Sequence, residues 1–192
     1  MKTSSLGDVV SNLPVIADIR RWRPDAAIDW VVEEAYVELV RLHPGVRDVI
    51  VVAQRRWRRD LLSPQCRTER RAFAERLREC IYDAVIDTQG LLKSAVIAWR
   101  ACGEVVGYDW ASAREPLATL AYDRRIAVPW HLHAIERNRR LAAFALGYTL
   151  DTRAEFGLRP GPSRPPFVRG AFWVALHGSS RDEKLWPEER WI

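Results

Sequence analysis

Lysine, cysteine and methionine are all scarce in this 192-residue chain, which has three lysines (Lys2, Lys93, Lys184), three cysteines and one methionine. With so little lysine, arginine carries nearly all the positive charge, and its planar fork suits carboxylate and phosphate partners. The cysteines, Cys66, Cys80 and Cys102, are odd in number, widely spaced and never form a CxxC pair. That argues against a disulfide framework or a zinc site and makes a reducing cytosol the default compartment. No apolar run approaches the roughly 18–20 residues of a membrane-spanning helix. Neither GxxxxGK[ST] nor GxGxxG occurs, so the two familiar phosphate loops are absent. What remains, 48% hydrophobic and 29% charged residues, is the composition of a globular protein and not of a disordered chain or a coiled coil.

The charge is unevenly placed. The chain carries +5 overall, yet between Ala53 and Arg78 nine arginines face only Asp60, Glu69 and Glu75. Such a field recruits an anionic partner: phosphorylated lipid, nucleic acid or a sugar acid. A solvated helix face is the alternative, since Arg70, Arg71, Arg76 and Arg78 are interspersed with Glu69 and Glu75. The run Arg55-Arg56-Trp57-Arg58-Arg59 is harder to dismiss, and Trp57 is a candidate for stacking on a ligand.

Short β-branched segments at 28–32, 49–53, 84–87 and 105–108 alternate with helix-like stretches at about 7–22, 34–42, 67–80, 90–102 and 131–146. Alternation of this kind predicts an α/β fold around a mostly parallel sheet with helices on both faces. Residues 1–150 read as one α/β domain, 151–170 as a linker and 171–192 as the start of a second domain. The linker contains Arg-Pro-Gly-Pro-Ser-Arg-Pro-Pro at 159–166, too stiff and donor-poor for a sheet. Ala171 to His177 reads as a strand, and Pro187 as the first turn of a helix with Glu188 and Glu189.

Several groups could carry chemistry. Asp8 follows the small, polar Ser4-Ser5-Leu6-Gly7 and stands at a helix start, either as a cap or as a general base facing a cleft. Ser179, Ser180 and Lys184 follow a strand and could cradle an anion, or form a plain polar turn. Asp87-Thr88-Gln89-Gly90 lies at a strand's carboxyl end, where active-site residues gather in α/β sheets, though a helix cap is the alternative. Arg114 next to Glu115 is an anion contact or a surface pair. His131 and His133 are two apart, a spacing that does not favour a metal site.

Taken in order, Lys2-Thr3-Ser4-Ser5-Leu6-Gly7-Asp8-Val9, Leu13-Pro14, Asp29-Trp30-Val31-Val32-Glu33-Glu34, Arg55-Arg56-Trp57-Arg58, Tyr82 to Ser94, Ala113 to Ala118 and His177 to Trp191 resemble the lipopolysaccharide heptosyltransferases of glycosyltransferase family 9, their heptosyltransferase I branch in particular. The resemblance covers nearly the whole chain apart from about 150–170. It implies a GT-B fold, two Rossmann-like domains with the active site in the cleft between them. It also implies metal-independent, inverting transfer of L-glycero-D-manno-heptose from ADP-heptose to a Kdo sugar on lipid A, with no cofactor beyond the nucleotide-sugar donor.

By the same resemblance Asp8 matches the catalytic base, and Ser179, Ser180 and Lys184 match the positions that hold the donor's phosphates, with serine where threonine is usual. Arg55, Arg56, Arg58, Arg59 and Arg114 become acceptor-side candidates for Kdo carboxylates and lipid A phosphates. The implied partners are ADP-heptose and Kdo-lipid A, with peripheral contact on the cytoplasmic face of the inner membrane and no nucleic acid. The family's first strand would precede Lys2 and its second domain would run past Ile192. The expectation is therefore a chain truncated at both ends, missing a central strand, and weak or inert as a catalyst. The alternatives are a heptosyltransferase acting on a later heptose acceptor, and a non-catalytic binder of anionic lipid or nucleic acid.

Overall fold

The computed structural model describes residues 1–60, 63–150, 153–159, 170–171 and 185–190. The chain separates into two units, Met1–Arg159 and Pro160–Ile192. The predicted strand at 171–177 and the residues Ser179, Ser180 and Lys184 lie outside the described residues. Of the predicted helix after Pro187, a single 3-10 turn at Glu188–Arg190 is described.

In the first unit every strand pairing is parallel. Strand β1 (Asp29–Glu33) pairs with β2 (Asp48–Val52), Asp29 opposite Asp48 and Glu33 opposite Val52. Strand β3 (Ile81–Asp87) pairs with β4 (Cys102–Tyr108), and β4 with β5 (Arg124–Ile126). Between β1 and β3 run Met1–Thr3. Met1 donates its amino group to the Ile86 carbonyl, Thr88 N donates to Met1 O (3.2 Å), and Glu33 N donates to Thr3 O (3.0 Å). Sequence alone suggested that three residues are too few to serve as a strand here. They nevertheless stitch the two sheets together at the carboxyl ends of β1 and β3.

Side-chain alternation along β1 explains the layering. Trp30 and Val32 pack with Val9, Leu13, Ile16, Val37 and Val40, from the helices α1 (Leu6–Val10), α2 (Leu13–Trp22) and α3 (Val37–Arg41). Val31, on the opposite face, packs with Trp57, Cys66, Leu77 and Ile97, contributed by α4 (Gln54–Trp57), α5 (Pro64–Arg76), the residue just after α5, and α6 (Leu92–Arg100). The last helix, α7 (Ala134–Leu146), joins the first layer through Ala142 against Val15 and Ile19. This is the expected α/β architecture, helices covering both faces of parallel strands.

Some boundaries differ from the sequence reading. The helix expected over 7–22 is two, because Pro14 brings no N–H to continue the ladder from α1. Residues 34–36 form a 3-10 turn ahead of α3. Helix α5 starts at Pro64, where the Ser63 hydroxyl accepts from Cys66 N (3.4 Å). Strand β5 escaped notice because two of its three residues are arginines. Arg124 reaches Glu104 (3.2 Å) and the Ala145 carbonyl (2.6 Å), so this short edge strand is charged, as edge strands tend to be.

Candidate active site

Parallel strands send their following loops to one side, and the chemistry-bearing residues collect there. Glu33 ends β1, Ala53, Thr88–Gly90 and Asp109–Arg114 follow β2, β3 and β4, and the segment Thr3–Asp8 enters α1 at the same end.

A buried network fixes that segment. Asp87, wholly buried, accepts from Gln89 N (2.9 Å), Ser94 Oγ (2.8 Å) and Tyr122 Oη (2.8 Å). Gln89 is thereby held so that its Oε1 accepts from Thr3 N (2.7 Å) and Thr3 Oγ1 (2.8 Å), while its Nε2 donates to Ser4 O (3.0 Å). Asp87 is thus a hub that ties the β3 loop to α6. Gly90 has φ +65°, and a Cβ there would sit 3.2 Å from the Tyr108 ring and 3.3 Å from Arg114 N, so the turn needs glycine on both counts. That close approach lets Glu115 N donate to Gly90 O (2.9 Å), while Leu92 N at the start of α6 donates to Glu115 Oε2 (2.6 Å). Arg114 is carried on this clamp.

Asp8 sits in the first turn of α1, its Oδ2 accepting from Ser5 N and Ser5 Oγ, both at 3.0 Å. Asp8 thus braces the helix start, as the cap reading expected, and it also lines a cavity. Among the described residues Oδ1 accepts no hydrogen bond. Arg114 Nη1 stands 3.9 Å from Oδ2. The cavity, about 240 Å³, is lined by Lys2, Asp8, Gln89, Tyr108, Arg114 and Arg137 among others. Arg137 lies over the rings of Trp130 (3.9 Å) and Tyr108 (4.9 Å) and donates to Ser112 O (2.5 Å). Lys2 donates to Thr88 O (2.8 Å), and burial pushes its ammonium down to about 8. Lys93 donates to Ser4 Oγ (2.8 Å), and burial lowers its pKa, with the Arg58 charge acting the same way.

The structure brings together Asp8 and Arg114, and sets Lys93 within electrostatic reach of Asp8, Arg55, Arg58 and Glu33. Arg55 is anchored by its own N–H to Glu33 Oε1 (2.9 Å), and its guanidinium lies 5.8 Å from the Tyr36 ring. Arg56 is otherwise engaged, pairing with Glu34 (3.2 Å) and Glu69 (2.7 Å). Arg59 is exposed and has no ion pair among the described residues. Trp57 does not stand exposed among the arginines as a stacking platform; it is packed into the floor of a groove. It is buried, its Nε1 donates to Glu69 (2.8 Å), and its ring packs 5.6 Å from Phe73, because α4 turns that side chain inward over β2. Among the described residues no cluster of three His, Cys, Asp or Glu side chains could hold a metal ion, and no helix is long and apolar enough to cross a membrane.

Sequence reasoning missed Lys2, Lys93 and Arg137 as site residues. The rarity of lysine was a usable signal for the first two. Arg137 gave none, because only the packing of α7 brings it to the loops after β3 and β4.

The family model for glycosyltransferase family 9 (heptosyltransferase) matches residues 70–192. The chain belongs to glycosyltransferase family 9. Among curated family members, the lipopolysaccharide heptosyltransferase 1 of Escherichia coli K12 is 44% identical over 194 residues, covering 100% of this chain and 61% of that protein. The lipopolysaccharide heptosyltransferase 1 of Pseudomonas aeruginosa PAO1 is 45% identical over 194 residues, covering 100% of this chain and 54% of that protein. The E. coli heptosyltransferase WaaC, solved with ADP and with ADP-2-deoxy-2-fluoro heptose, superposes at a TM-score of 0.90 and 42% identity over 99% of this chain. The match covers 60% and 61% of those two WaaC chains. This family 9 chain thus has the α/β architecture of part of a GT-B enzyme, and it spans 54–61% of the length of these curated relatives.

Proposed function

We propose that this family 9 chain forms the acceptor-side part of an enzyme that transfers L-glycero-D-manno-heptose from ADP-heptose to a Kdo sugar of lipid A. The observation that carries this reading is Asp8, a carboxylate with one oxygen anchored by Ser5 and the other without a hydrogen-bond donor, at a cavity shared with Arg114 and Lys2. A general base needs that combination of a fixed position and an available lone pair beside the place where a substrate hydroxyl sits.

The acceptor hydroxyl gives its proton to Asp8 Oδ1 as its oxygen bonds to the anomeric carbon of the heptose. The bond from that carbon to the donor phosphate breaks, ADP departs with the electron pair, and the anomeric centre inverts. Arg114, Arg55, Arg58 and Arg59 meet the acceptor's carboxylates and phosphates. Ser179, Ser180 and Lys184 are assigned to the donor phosphates on the family resemblance of their motif, with no metal or other cofactor. The acceptor is lipid-linked, so the protein works in peripheral contact with the cytoplasmic face of the inner membrane. The 41–45% identity to heptosyltransferase 1 proteins of Escherichia coli, Pseudomonas and Salmonella supports the Kdo acceptor over a later heptose.

Because the chain spans only part of its relatives' length, the test joins residues 1–192 to the remaining part of the E. coli K12 enzyme and follows heptose transfer by product mass. Transfer is expected, and Asp8→Ala lowers kcat by about 10²–10⁴-fold while ADP-heptose binding persists. A chimera that transfers heptose equally well with Asp8→Ala overturns the assignment, and so does one that binds both substrates and transfers nothing.

A further inference from the structure

The outer face of α6 and the groove beside it form one amphipathic surface. Leu92, Val96 and Trp99 are all exposed, Trp99 at 68%, and their i, i+4, i+7 spacing puts them in one stripe. The 3-10 segment Pro116–Ala121 packs against α6 and adds exposed Leu117 and Leu120. Arg100 follows Trp99 and, by helical rotation, flanks the stripe on the side where Ile97 begins a groove of about 370 Å³. That groove is floored by Trp57, Phe73 and Ile97 and rimmed by Arg58, Arg67, Arg70, Arg71 and Arg100. Of the rim, only Arg71 forms an ion pair among the described residues, with the exposed Glu75, whereas Arg56 and Arg76 nearby are each held by two carboxylates.

A tryptophan and aliphatic side chains standing in water beside four unneutralised arginines are costly on a free surface. They fit an interface that is apolar at one depth and anionic just above it. Tryptophan and arginine both favour the headgroup level of a bilayer, and each basic residue near an anionic leaflet adds attraction. The amino-terminal end of the same helix carries Lys93, bonded to Ser4 four residues before Asp8. A membrane on this face therefore lies next to the site that a lipid-linked acceptor has to reach.

We propose that the Leu92–Val96–Trp99 stripe of α6 and the arginine-rimmed groove beside it dock the protein on an anionic phospholipid bilayer. The apolar residues enter the headgroup boundary and Arg58, Arg67, Arg70 and Arg100 meet lipid phosphates. This deepens the reading of a lipid-linked acceptor by naming the surface that meets the membrane, and its test needs no sugar chemistry.

The 192-residue chain is floated with phosphatidylglycerol-containing vesicles and, separately, with pure phosphatidylcholine vesicles. It is expected to float with the anionic vesicles alone and to be released by raised salt. The pair Val96→Ser with Trp99→Ser, and the trio Arg67→Glu, Arg70→Glu and Arg100→Glu, each weaken partitioning about tenfold or more. All five positions are exposed, so thermal melts of both variants match the parent and separate lost docking from lost fold. Equal flotation on both vesicle types, no flotation, or variants that float like the parent overturn the proposal. So does a concentration-dependent dimer that Trp99→Ser abolishes without changing vesicle binding, since the face then belongs to a second copy of the chain. Failure of heptose transfer in the chimera leaves this result untouched, and the reverse holds as well, so the two readings fall separately.

Discussion

Arg114 stands 3.9 Å from the carboxylate of Asp8, held there by a loop whose neighbouring residue, Glu115, caps α6. Both side chains face one cavity, Asp8 braced by Ser5 and Arg114 largely exposed. The proposed role of Arg114 is an anion contact for the acceptor beside the proposed base, Asp8. In the chimeric enzyme Arg114→Ala is expected to raise KM for Kdo-lipid A about tenfold, the scale of one charge-assisted hydrogen bond, with a smaller change in kcat. A pure kcat loss with KM unchanged would place Arg114 elsewhere in the reaction.

Lys2 links the cavity to stability. Burial pushes its ammonium from 10.5 down to about 8 in the folded protein. Between those values the unfolded chain binds more protons than the folded one, so stability rises with pH through this window. The gain is fully present above 10.5 and is lost as pH falls through 8. The shift corresponds to about 3 kcal/mol at most. Urea unfolding at a series of pH values should show this alkaline rise in the parent and not in Lys2→Met.

Asp18 and Arg139 join α2 to α7 through two hydrogen bonds, 2.6 and 3.0 Å, with both side chains buried. Removing Asp18 takes away the two direct bonds to buried Arg139, which keeps the more distant Glu136 at 3.7 Å, and removing Arg139 leaves the Asp18 carboxylate buried without its guanidinium. Asp18→Leu is expected to cost about 3–5 kcal/mol, and the double change with Arg139→Met recovers much of that loss. Chemical denaturation of the two single variants and the double variant completes the cycle. Additive losses would mean that the pair is not coupled.

A cavity of about 600 Å³ lies beside Met1, lined by Asp29 and Trp30 of β1 and by Tyr82, Ala84 and Ile86 of β3. Glu33 N reaches Thr3, so Val31, two residues earlier, presents its backbone to the same slot, and Ala84 does so opposite, two before Ile86. About five apolar residues added ahead of Met1 would pair with both edges and fill the slot, raising the melting temperature, whereas a polar extension of equal length would not. Burial holds the Met1 amino group near 6, so the unextended chain also gains stability as pH rises from about 6 to 8. The extension removes that buried amine, and the pH dependence should go with it. An apolar extension that leaves both unchanged would show that the slot does not accept a strand.

Much of this was legible beforehand. The short β-branched run Trp30-Val31-Val32 announced a strand, and helices on both faces followed from the alternation of strands and helices. Asp8 was marked by the small polar residues before it, and the arginine excess of 55–78 was plain in composition. The burial of Trp57 was not legible, because an aromatic among arginines looks exposed when its packing is unknown. Arg56 could not be separated from Arg55 and Arg58, since Glu34 and Glu69 come to it from other elements.

The sequence by itself determined the alternating elements, the local charge and the residue types able to do the chemistry, because periodicity and composition are properties of neighbours along the chain. Tertiary structure decided which of these residues meet. Lys2, Asp8, Gln89, Arg114 and Arg137 share one cavity only because parallel strands deliver their loops to a single edge and α7 folds back against them. Contacts spanning more than a hundred residues depend on packing and loop closure, and no local window of sequence records those.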